Sequence, residues 1–280
     1  MRNRPIGISL RVSSLMRAGC YTPASGEEPM KATAIEFRLR MLINMVIIVF
    51  GFNAPGSPAW NAFTGSPPQA PLLEWLPLQL SRAGLIPFSA ATPAMIVIAS
   101  ILAGVGTILR IWGSAWLGPG TVTNSQMMAD AVLADGPYRY VRNPLYIGVW
   151  CMIASLAFLM TPVGALFTMV LITFFQFRLI LGEEAFLALK LGLPYEAYLK
   201  AVPRLIPRLR AAQAPTGRKA HWTRAVLTET TPIGVFIAFA VLSWRYEYWL
   251  MVKAIVVSFG VGLVGRALVL GNNKEPDATT

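Results

Sequence analysis

The sequence predicts an all-α polytopic membrane protein with about six transmembrane helices, including a tight helical hairpin, and a cytoplasmic helical cap. Of its 280 residues, 55% are hydrophobic and only 13% are charged, whereas a soluble domain usually has about 25% charged residues. Several apolar runs also reach the roughly 17–25 residues that cross a bilayer as a helix. Both observations indicate that the chain is folded in a membrane.

Six apolar stretches are interpreted as spans, near residues 35–52, 94–112, 145–160, 163–181, 233–249 and 250–270. Only Thr161 and Pro162 join the third and fourth, which predicts two antiparallel helices that lie side by side. Charged residues crowd the junction of the last two stretches. A single re-entrant hairpin is therefore the alternative to two spans there.

The formal net charge of +11 is distributed in a way that predicts topology. Lys and Arg cluster near the first span and in the 182–231 segment, whereas the 53–93 loop has only Arg82 and Glu74 as charged residues. By the positive-inside rule, the N-terminus, the connector 113–144 and the segment 182–231 are cytoplasmic, and six spans return the C-terminus to the cytoplasm. Topology accounts for the basic charge, so no nucleic acid partner is expected.

The chain divides into three predicted regions. Residues 1–30 lack the apolar run of a secretory signal and are expected to form a disordered tail. Residues 31–224 form the membrane core, and 225–280 form a C-terminal transmembrane hairpin. With two distant cysteines and His221 as the single histidine, no metal site is predicted.

The segment DGPYRYVRNPLYIG, residues 135–148, places Arg139 and Arg142 at the edge of an apolar run. Charges at such a position are costly unless they are paired or reach the interface. Anchoring by snorkelling arginines is one interpretation. The neighbouring turn residues, three tyrosines and Asn143 favour a binding pocket.

Glu183 and Glu184 directly follow the fourth apolar run. They could complement the dipole of a surface helix that begins there. The predicted hairpin, however, places them beside Arg142, Asn143 and Tyr146. A pair of cations and a pair of anions at one membrane edge would suit a zwitterionic amino acid group.

Two weaker signals occur in the second span, within AGVGTILRIW. Gly104 and Gly106 are typical of close helix packing in membranes. Arg110 near the predicted cytoplasmic end could snorkel to the interface.

Two motifs in order, GPYRYVRNPLYIG and then EEAFLALKLGLPYEAYLKAVPRLIP, resemble the isoprenylcysteine carboxyl methyltransferase and phospholipid methyltransferase superfamily. That family has Arg-His-Pro-x-Tyr-x-Gly, then Glu-Glu, then a Tyr-x-x-Tyr segment that ends in Val-Pro. The likeness covers about residues 94–208 and leaves out the N-terminal tail, the first span and residues 225–280.

The resemblance implies a multi-pass enzyme that transfers a methyl group from S-adenosylmethionine, bound on the cytoplasmic side, to a lipidic acceptor that enters from the bilayer. By this likeness, the catalytic residues are Arg142, Asn143 and Glu184. The cofactor-binding residues that it implies are Tyr138, Arg142, Asn143, Pro144, Tyr146, Glu183, Glu184, Tyr195 and Tyr198, together with Gly104 and Gly106.

Asn143 departs from the family pattern, which has His at that position. Asparagine forms hydrogen bonds but does not titrate near neutral pH, so a carboxylate or thiolate acceptor is favoured over an amine that must lose a proton. Two alternatives stay open: a non-catalytic relative that binds the cofactor or a lipid, and a small transporter or structural membrane protein.

Overall fold

The computed structural model describes residues 31–117, 132–245 and 248–271, and within these ranges the chain forms helices and no strands. The predicted tail 1–30 and much of the connector before the first motif lie outside the described residues. The elements are α1 (Ala34–Arg38), α2 (Arg40–Phe52), α3 (Pro58–Thr64), α4 (Leu72–Arg82), α5 (Phe88–Trp116), a 3-10 turn (Gly136–Arg139), α6 (Pro144–Ala157), α7 (Pro162–Leu191), α8 (Leu193–Ala201), α9 (Trp222–Thr228), α10 (Thr230–Arg245) and α11 (Tyr248–Gly271).

The first predicted span is divided into α1 and α2 at Leu39. A capping box begins α1: Thr33 Oγ1 accepts a hydrogen bond from the Glu36 backbone, and the Glu36 carboxylate accepts one from the Thr33 N–H. This arrangement satisfies two N–H groups at the start of the helix. Glu36 also forms an ion pair with Arg178, 2.8 Å from Nη2 to Oε2, which fixes α1 to α7.

Helix α7 is longer than the sequence predicts. It has 30 residues and continues without a break through Glu183 and Glu184 to Leu191. The break comes at Gly192, whose φ of +61° is a left-handed value that favours glycine. The interpretation of the glutamates as the first turn of a surface helix is therefore wrong, because no helix begins there.

The hairpin of α6 and α7 positions the two motifs. Residues 158–161 form its link, which begins three residues earlier than the sequence suggests, and Pro162 is the first residue of α7. The link also accepts hydrogen bonds from the start of α4: Leu72 N–H to Met160 O, 2.7 Å, and Leu73 N–H to Phe158 O, 2.8 Å. Helix α4 thus fixes the link through the carbonyl groups of the link, and α6 and α7 lie antiparallel.

Helix α5 lies at the centre of the largest core. This core combines apolar side chains of α4, α5, α6, α10 and α11: Leu73, Met95, Ile96, Ala99, Ala103, Leu156, Leu159, Val235, Ala238, Phe239, Met251 and Ile255. The C-terminal helices therefore bury their apolar surface directly against α5. A second core joins α2, α6 and α7.

Membrane-spanning length is reached by α5 and α7 among the described helices, and by a third span if α9 and α10, bent by 69° at their junction, count as one. Helices α2 and α6 and the 250–265 part of α11 are apolar but shorter. The chain thus has the helices of a membrane protein. Six full spans and a cytoplasmic cap stay predictions.

Candidate functional site

The start of α6 and the end of α7 meet, as the hairpin argument predicts. Tyr146, in the first turn of α6, donates a hydrogen bond from its hydroxyl to Glu183 Oε2 at 2.9 Å. Pro144 is the first residue of α6, where its missing N–H costs nothing. The two predicted motifs are therefore in direct contact.

Arg142 and Glu184 form an ion pair, with 3.0 Å between Nη1 and Oε1. The side chains are 13% and 8% exposed, so each charge is largely removed from water. Removing one partner of such a pair leaves the other charge uncompensated. The anion beside Arg142 in this structure is thus a carboxylate of the chain itself.

A second arginine binds the same carboxylate, and the sequence analysis missed it. Arg204 Nη2 lies 2.7 Å from Glu184 Oε2, and its Nε lies 3.1 Å from the same oxygen. Arg204 directly follows the Val-Pro that ends the second motif. Its position next to this motif could have indicated a site residue. Arginines in a basic segment, however, are usually explained by membrane topology.

Asn143 completes what we call the charged cluster: Arg142, Asn143, Glu184 and Arg204. Its Nδ2 donates to Glu184 Oε1 and to the backbone oxygen of Arg204, both at 3.2 Å. Asn143 is buried, so both amide hydrogens have partners where water has little access. The amide holds α7 and the segment after α8 together.

The charged cluster has one more positive than negative charge, because two guanidinium groups share the Glu184 carboxylate. Arg142 Nε is also buried and makes no hydrogen bond in the part of the chain that the structure describes. A buried donor without a partner costs about 1–3 kcal/mol. The cluster therefore has a donor and a charge that suit an additional anionic group.

Three motif tyrosines lie beside the cluster. Tyr195 and Tyr198 of α8 pack with Ala134 and Val202 in a third, small core, and the Tyr198 hydroxyl donates to the Tyr138 carbonyl at 2.9 Å. Burial raises the pKa of Tyr138, Tyr195 and Tyr198. These phenols are therefore hydrogen-bond donors at physiological pH, and Tyr198 uses its donor to fix the turn that precedes Arg142.

The structure places Gly104 and Gly106 on different faces of α5. Residues two apart on a helix are turned by about 200°. A Cβ on Gly106 would lie 2.8 Å from the Gly148 carbonyl of α6, whereas one on Gly104 would meet only the Phe236 ring of α10. Gly106 thus permits close packing against the first motif, and Gly104 borders an apolar groove of about 310 Å³ between α5 and α10.

Arg110 does not snorkel to the interface as the sequence analysis allowed. Its Nε and Nη2 donate to the two carboxylate oxygens of Glu229 at 2.6 and 2.8 Å, and Ser114 Oγ donates to Glu229 Oε1 at 2.5 Å. Glu229 has no exposed side-chain surface. This buried ion pair therefore fixes the bend between α9 and α10 to α5.

Arg139, the other arginine of the first motif, lies outside the charged cluster. Its Nε donates to the Gln213 carbonyl at 2.8 Å. Arg139 therefore positions the segment after α8, and Arg142 alone of the two pairs with Glu184. Among the described residues, no group of three His, Cys, Asp or Glu side chains is arranged to hold a metal ion.

Comparison with known proteins finds similarity in the region of the two motifs. Residues 94–192, which include most of α5 and all of α6 and α7, match the phospholipid methyltransferase family model. The chain is also 40% identical over 78 residues to a protein-S-isoprenylcysteine O-methyltransferase of Schizosaccharomyces pombe, an alignment that covers 27% of this chain and 33% of the relative. The chain thus aligns with about a third of the relative's length. No solved structure matches the chain.

The helices that bring Arg142 to Glu184 are therefore the part of the chain that matches known methyltransferases. This confirms the resemblance inferred from the motifs: residues 94–192 match the phospholipid methyltransferase family model, and 78 residues are similar to an isoprenylcysteine O-methyltransferase.

Proposed function

We propose that this protein is an integral-membrane methyltransferase that moves a methyl group from S-adenosylmethionine to a lipidic acceptor, with the cofactor's amino acid end at the charged cluster. The observation that carries the proposal is the convergence of both motifs on Glu184, at one end of two membrane-length helices. The family match over the same helices supports the class of reaction.

The residues present fit an amino acid group. Arg142 provides a buried Nε–H that has no partner among the described residues, and a guanidinium that suits a carboxylate. Glu184 is already neutralised by Arg142 and Arg204, so we assign the ammonium group first to Glu183, with Glu184 in support. Glu183 accepts a hydrogen bond from Tyr146, which holds its carboxylate in place.

The remaining motif residues are proposed to surround the bound cofactor. Tyr138 and Tyr146 would offer ring faces and hydroxyls to the adenosine part, and Tyr195 and Tyr198 would close the site from α8. Pro144 fixes the start of α6 beneath them. Gly106 would contribute through the packing that brings α5 against α6, and Gly104 through the apolar groove that it borders between α5 and α10.

S-adenosylmethionine would supply an electrophilic methyl group on a sulfonium. The protein's contribution is to hold two reactants in line, which by itself can supply much of the rate enhancement. Asn143 does not act as a base near neutral pH, and both of its N–H bonds are already directed to partners. The chemistry therefore favours an acceptor that is already anionic, a carboxylate or thiolate, with its apolar chain in the bilayer.

The test uses the full chain in lipid nanodiscs with methyl-labelled S-adenosylmethionine. Two acceptors are compared, a prenylated cysteine with a free carboxylate and phosphatidylethanolamine, and we expect label in the first. Arg142→Ala should abolish most transfer, whereas Arg218→Ala, a matched change at an exposed arginine, should not. The binding of S-adenosylhomocysteine is measured in parallel by calorimetry.

The outcomes separate the alternatives. Binding without transfer to either acceptor, or to a total lipid extract, would indicate a non-catalytic relative. Folded protein that binds neither S-adenosylmethionine nor S-adenosylhomocysteine at millimolar concentration would overturn the proposal in favour of a transporter or structural protein. Transfer only to phosphatidylethanolamine would overturn the assignment of an anionic acceptor.

A further inference from the structure

The segment after α8 has a surface that the proposed methyl transfer does not use. We call residues 204–210, Arg-Leu-Ile-Pro-Arg-Leu-Arg, the basic arm. Ile206 is 82% exposed and Leu209 is fully exposed at 101%, and Arg208 and Arg210 are exposed beside them. Large apolar side chains alternate with arginines on one short exposed stretch.

The basic arm is held in a fixed position and does not hang free. The backbone pairs with the first motif just before the arm, where Arg142 N–H donates to Pro203 O at 2.9 Å, and within it, where Arg208 N–H donates to Tyr140 O at 3.1 Å. Beyond its end, Ala212 N–H donates to Arg139 O at 2.8 Å. Contacts at the start, middle and end keep the exposed side chains in a defined arrangement.

The arm lies near helices that are long enough to cross a membrane. It follows α7 and α8, and the same connection reaches the end of α5, where His221 N–H donates to Ala115 O at 2.7 Å. Among the described helices, α5 and α7 have membrane-spanning length. The arm begins beside Glu184 of α7, and the connection that continues from it reaches the end of α5, which is the level where we expect lipid headgroups.

The charge of this region is uniformly positive. The sequence contains no Asp or Glu between Glu196 and Glu229, whereas Arg204, Arg208, Arg210, Arg218, Lys219 and Arg224 all lie within that range. Basic residues beside a membrane are attracted to anionic headgroups, and apolar side chains among them enter the interface. Arg204 is directed inward to Glu184, which leaves Arg208 and Arg210 for an external anion.

We propose that the basic arm is a docking surface for an anionic lipid bilayer, with Arg208 and Arg210 on the headgroup phosphates and Ile206 and Leu209 inserted among the acyl chains. The occupant is the bilayer surface itself and not the acceptor in the site. The proposal therefore does not depend on the assignment of methyl transfer.

Trypsin provides a direct test, because it cuts after exposed arginines. The full chain is placed in nanodiscs of phosphatidylcholine alone or of equal parts phosphatidylcholine and phosphatidylglycerol. Mass spectrometry then follows cleavage after Arg208 and Arg210 relative to cleavage after Arg218 and Lys219, an internal reference in the same connection. We expect the anionic lipid to slow the relative cleavage of the arm by about fivefold or more, and high salt to remove much of this protection.

The apolar part of the surface is tested by Ile206→Ser with Leu209→Ser, which should reduce the protection while leaving the arginines in place. Leu85→Ser, at the opposite end of α5 and also exposed, is the matched control and should change nothing. Equal relative rates in both lipids, or full protection in the double variant, would overturn the proposal. Equal protection by the soluble polyanion heparin would instead indicate an acidic protein or nucleic acid as the partner.

Discussion

Arg142, two residues before α6, and Glu184, inside α7, form an ion pair of 3.0 Å that closes the hairpin between the two motifs. Arg204 binds the second oxygen of the same carboxylate at 2.7 Å, so Glu184 joins three segments of the chain. The Glu184 carboxylate therefore explains how charged arginines can lie at the edge of a membrane hairpin.

Removal of Glu184 is expected to affect stability and cofactor binding together. Glu184→Ala leaves the buried Arg142 without its carboxylate, a loss of about 3–5 kcal/mol in the free energy of unfolding. Arg142→Ala should lower S-adenosylhomocysteine affinity by roughly 30-fold or more, as for a desolvated charged partner. Thermal unfolding and calorimetry measure the two effects. Arg139→Ala removes a contact outside the cluster and should leave the affinity for S-adenosylhomocysteine within a few-fold of the parent. Equal losses of affinity in Arg139→Ala and Arg142→Ala would contradict a specific role for Arg142.

Asn143→His restores the residue of the family pattern. A neutral imidazole has one N–H, so one of the two hydrogen bonds to Glu184 and Arg204 is lost, at a cost of about 0.5–1.5 kcal/mol. Binding of S-adenosylhomocysteine should therefore fall by only a few-fold. Transfer to phosphatidylethanolamine should rise, because histidine can accept a proton near neutral pH. Asn143→Ala is the control: it should weaken binding without raising transfer to phosphatidylethanolamine. If Asn143→His does not raise this transfer, proton removal does not limit the methylation of amine acceptors.

The ion pair of Arg110 and Glu229 should be required for the C-terminal helices to pack on α5. Glu229→Ala is expected to lower the free energy of unfolding by about 3–5 kcal/mol, because Arg110 is then buried without a partner. Replacing the whole set, Arg110→Met with Glu229→Leu and Ser114→Ala, should recover much of this loss by removing all three polar groups. Differential scanning calorimetry of the detergent-solubilised protein measures both. A triple variant no more stable than Glu229→Ala would mean that the pairing itself supports the bend.

Gly106 and Gly148 should tolerate no side chain. A Cβ on Gly148 would lie 2.9 Å from the Gly106 carbonyl, and one on Gly106 would lie 2.8 Å from the Gly148 carbonyl. Since backbone atoms cannot rotate away, Gly106→Ala and Gly148→Ala should each cost about 1–3 kcal/mol. Gly104→Ala meets only a Phe236 ring edge at 3.0 Å and should be milder. A large loss of cofactor affinity without destabilisation in Gly104→Ala would instead indicate a binding role for that glycine.

Topology is tested by cysteine labelling from outside cells. In a background of Cys20→Ser and Cys151→Ala, a probe at Ser66→Cys should react with an impermeant reagent, because the 53–93 loop is expected outside. A probe at Ala214→Cys should react only after the membrane is opened. The reverse pattern would place the charged cluster on the outer side, away from cytoplasmic S-adenosylmethionine.

The membrane class and the contact between the two motifs were determined by the sequence alone. Helix length in a bilayer is limited by hydrocarbon thickness, so apolar runs identify α5 and α7 without any knowledge of packing. A short link between adjacent helices leaves few arrangements other than antiparallel neighbours. Tyr146 was for this reason expected next to Glu183, and the 2.9 Å hydrogen bond agrees.

Only the tertiary structure decided which charges pair. Arg204 reaches Glu184 along a segment without regular structure, and Arg110 pairs with Glu229, 119 residues later in the chain. Neither pairing has a periodic pattern that a sequence could reveal. In a low-dielectric interior a charge is stable only beside an opposite charge, and which partner comes within reach depends on the path of the whole chain. The tertiary path therefore gives Glu184 two arginines and turns Arg139, three residues before Arg142, toward a different segment.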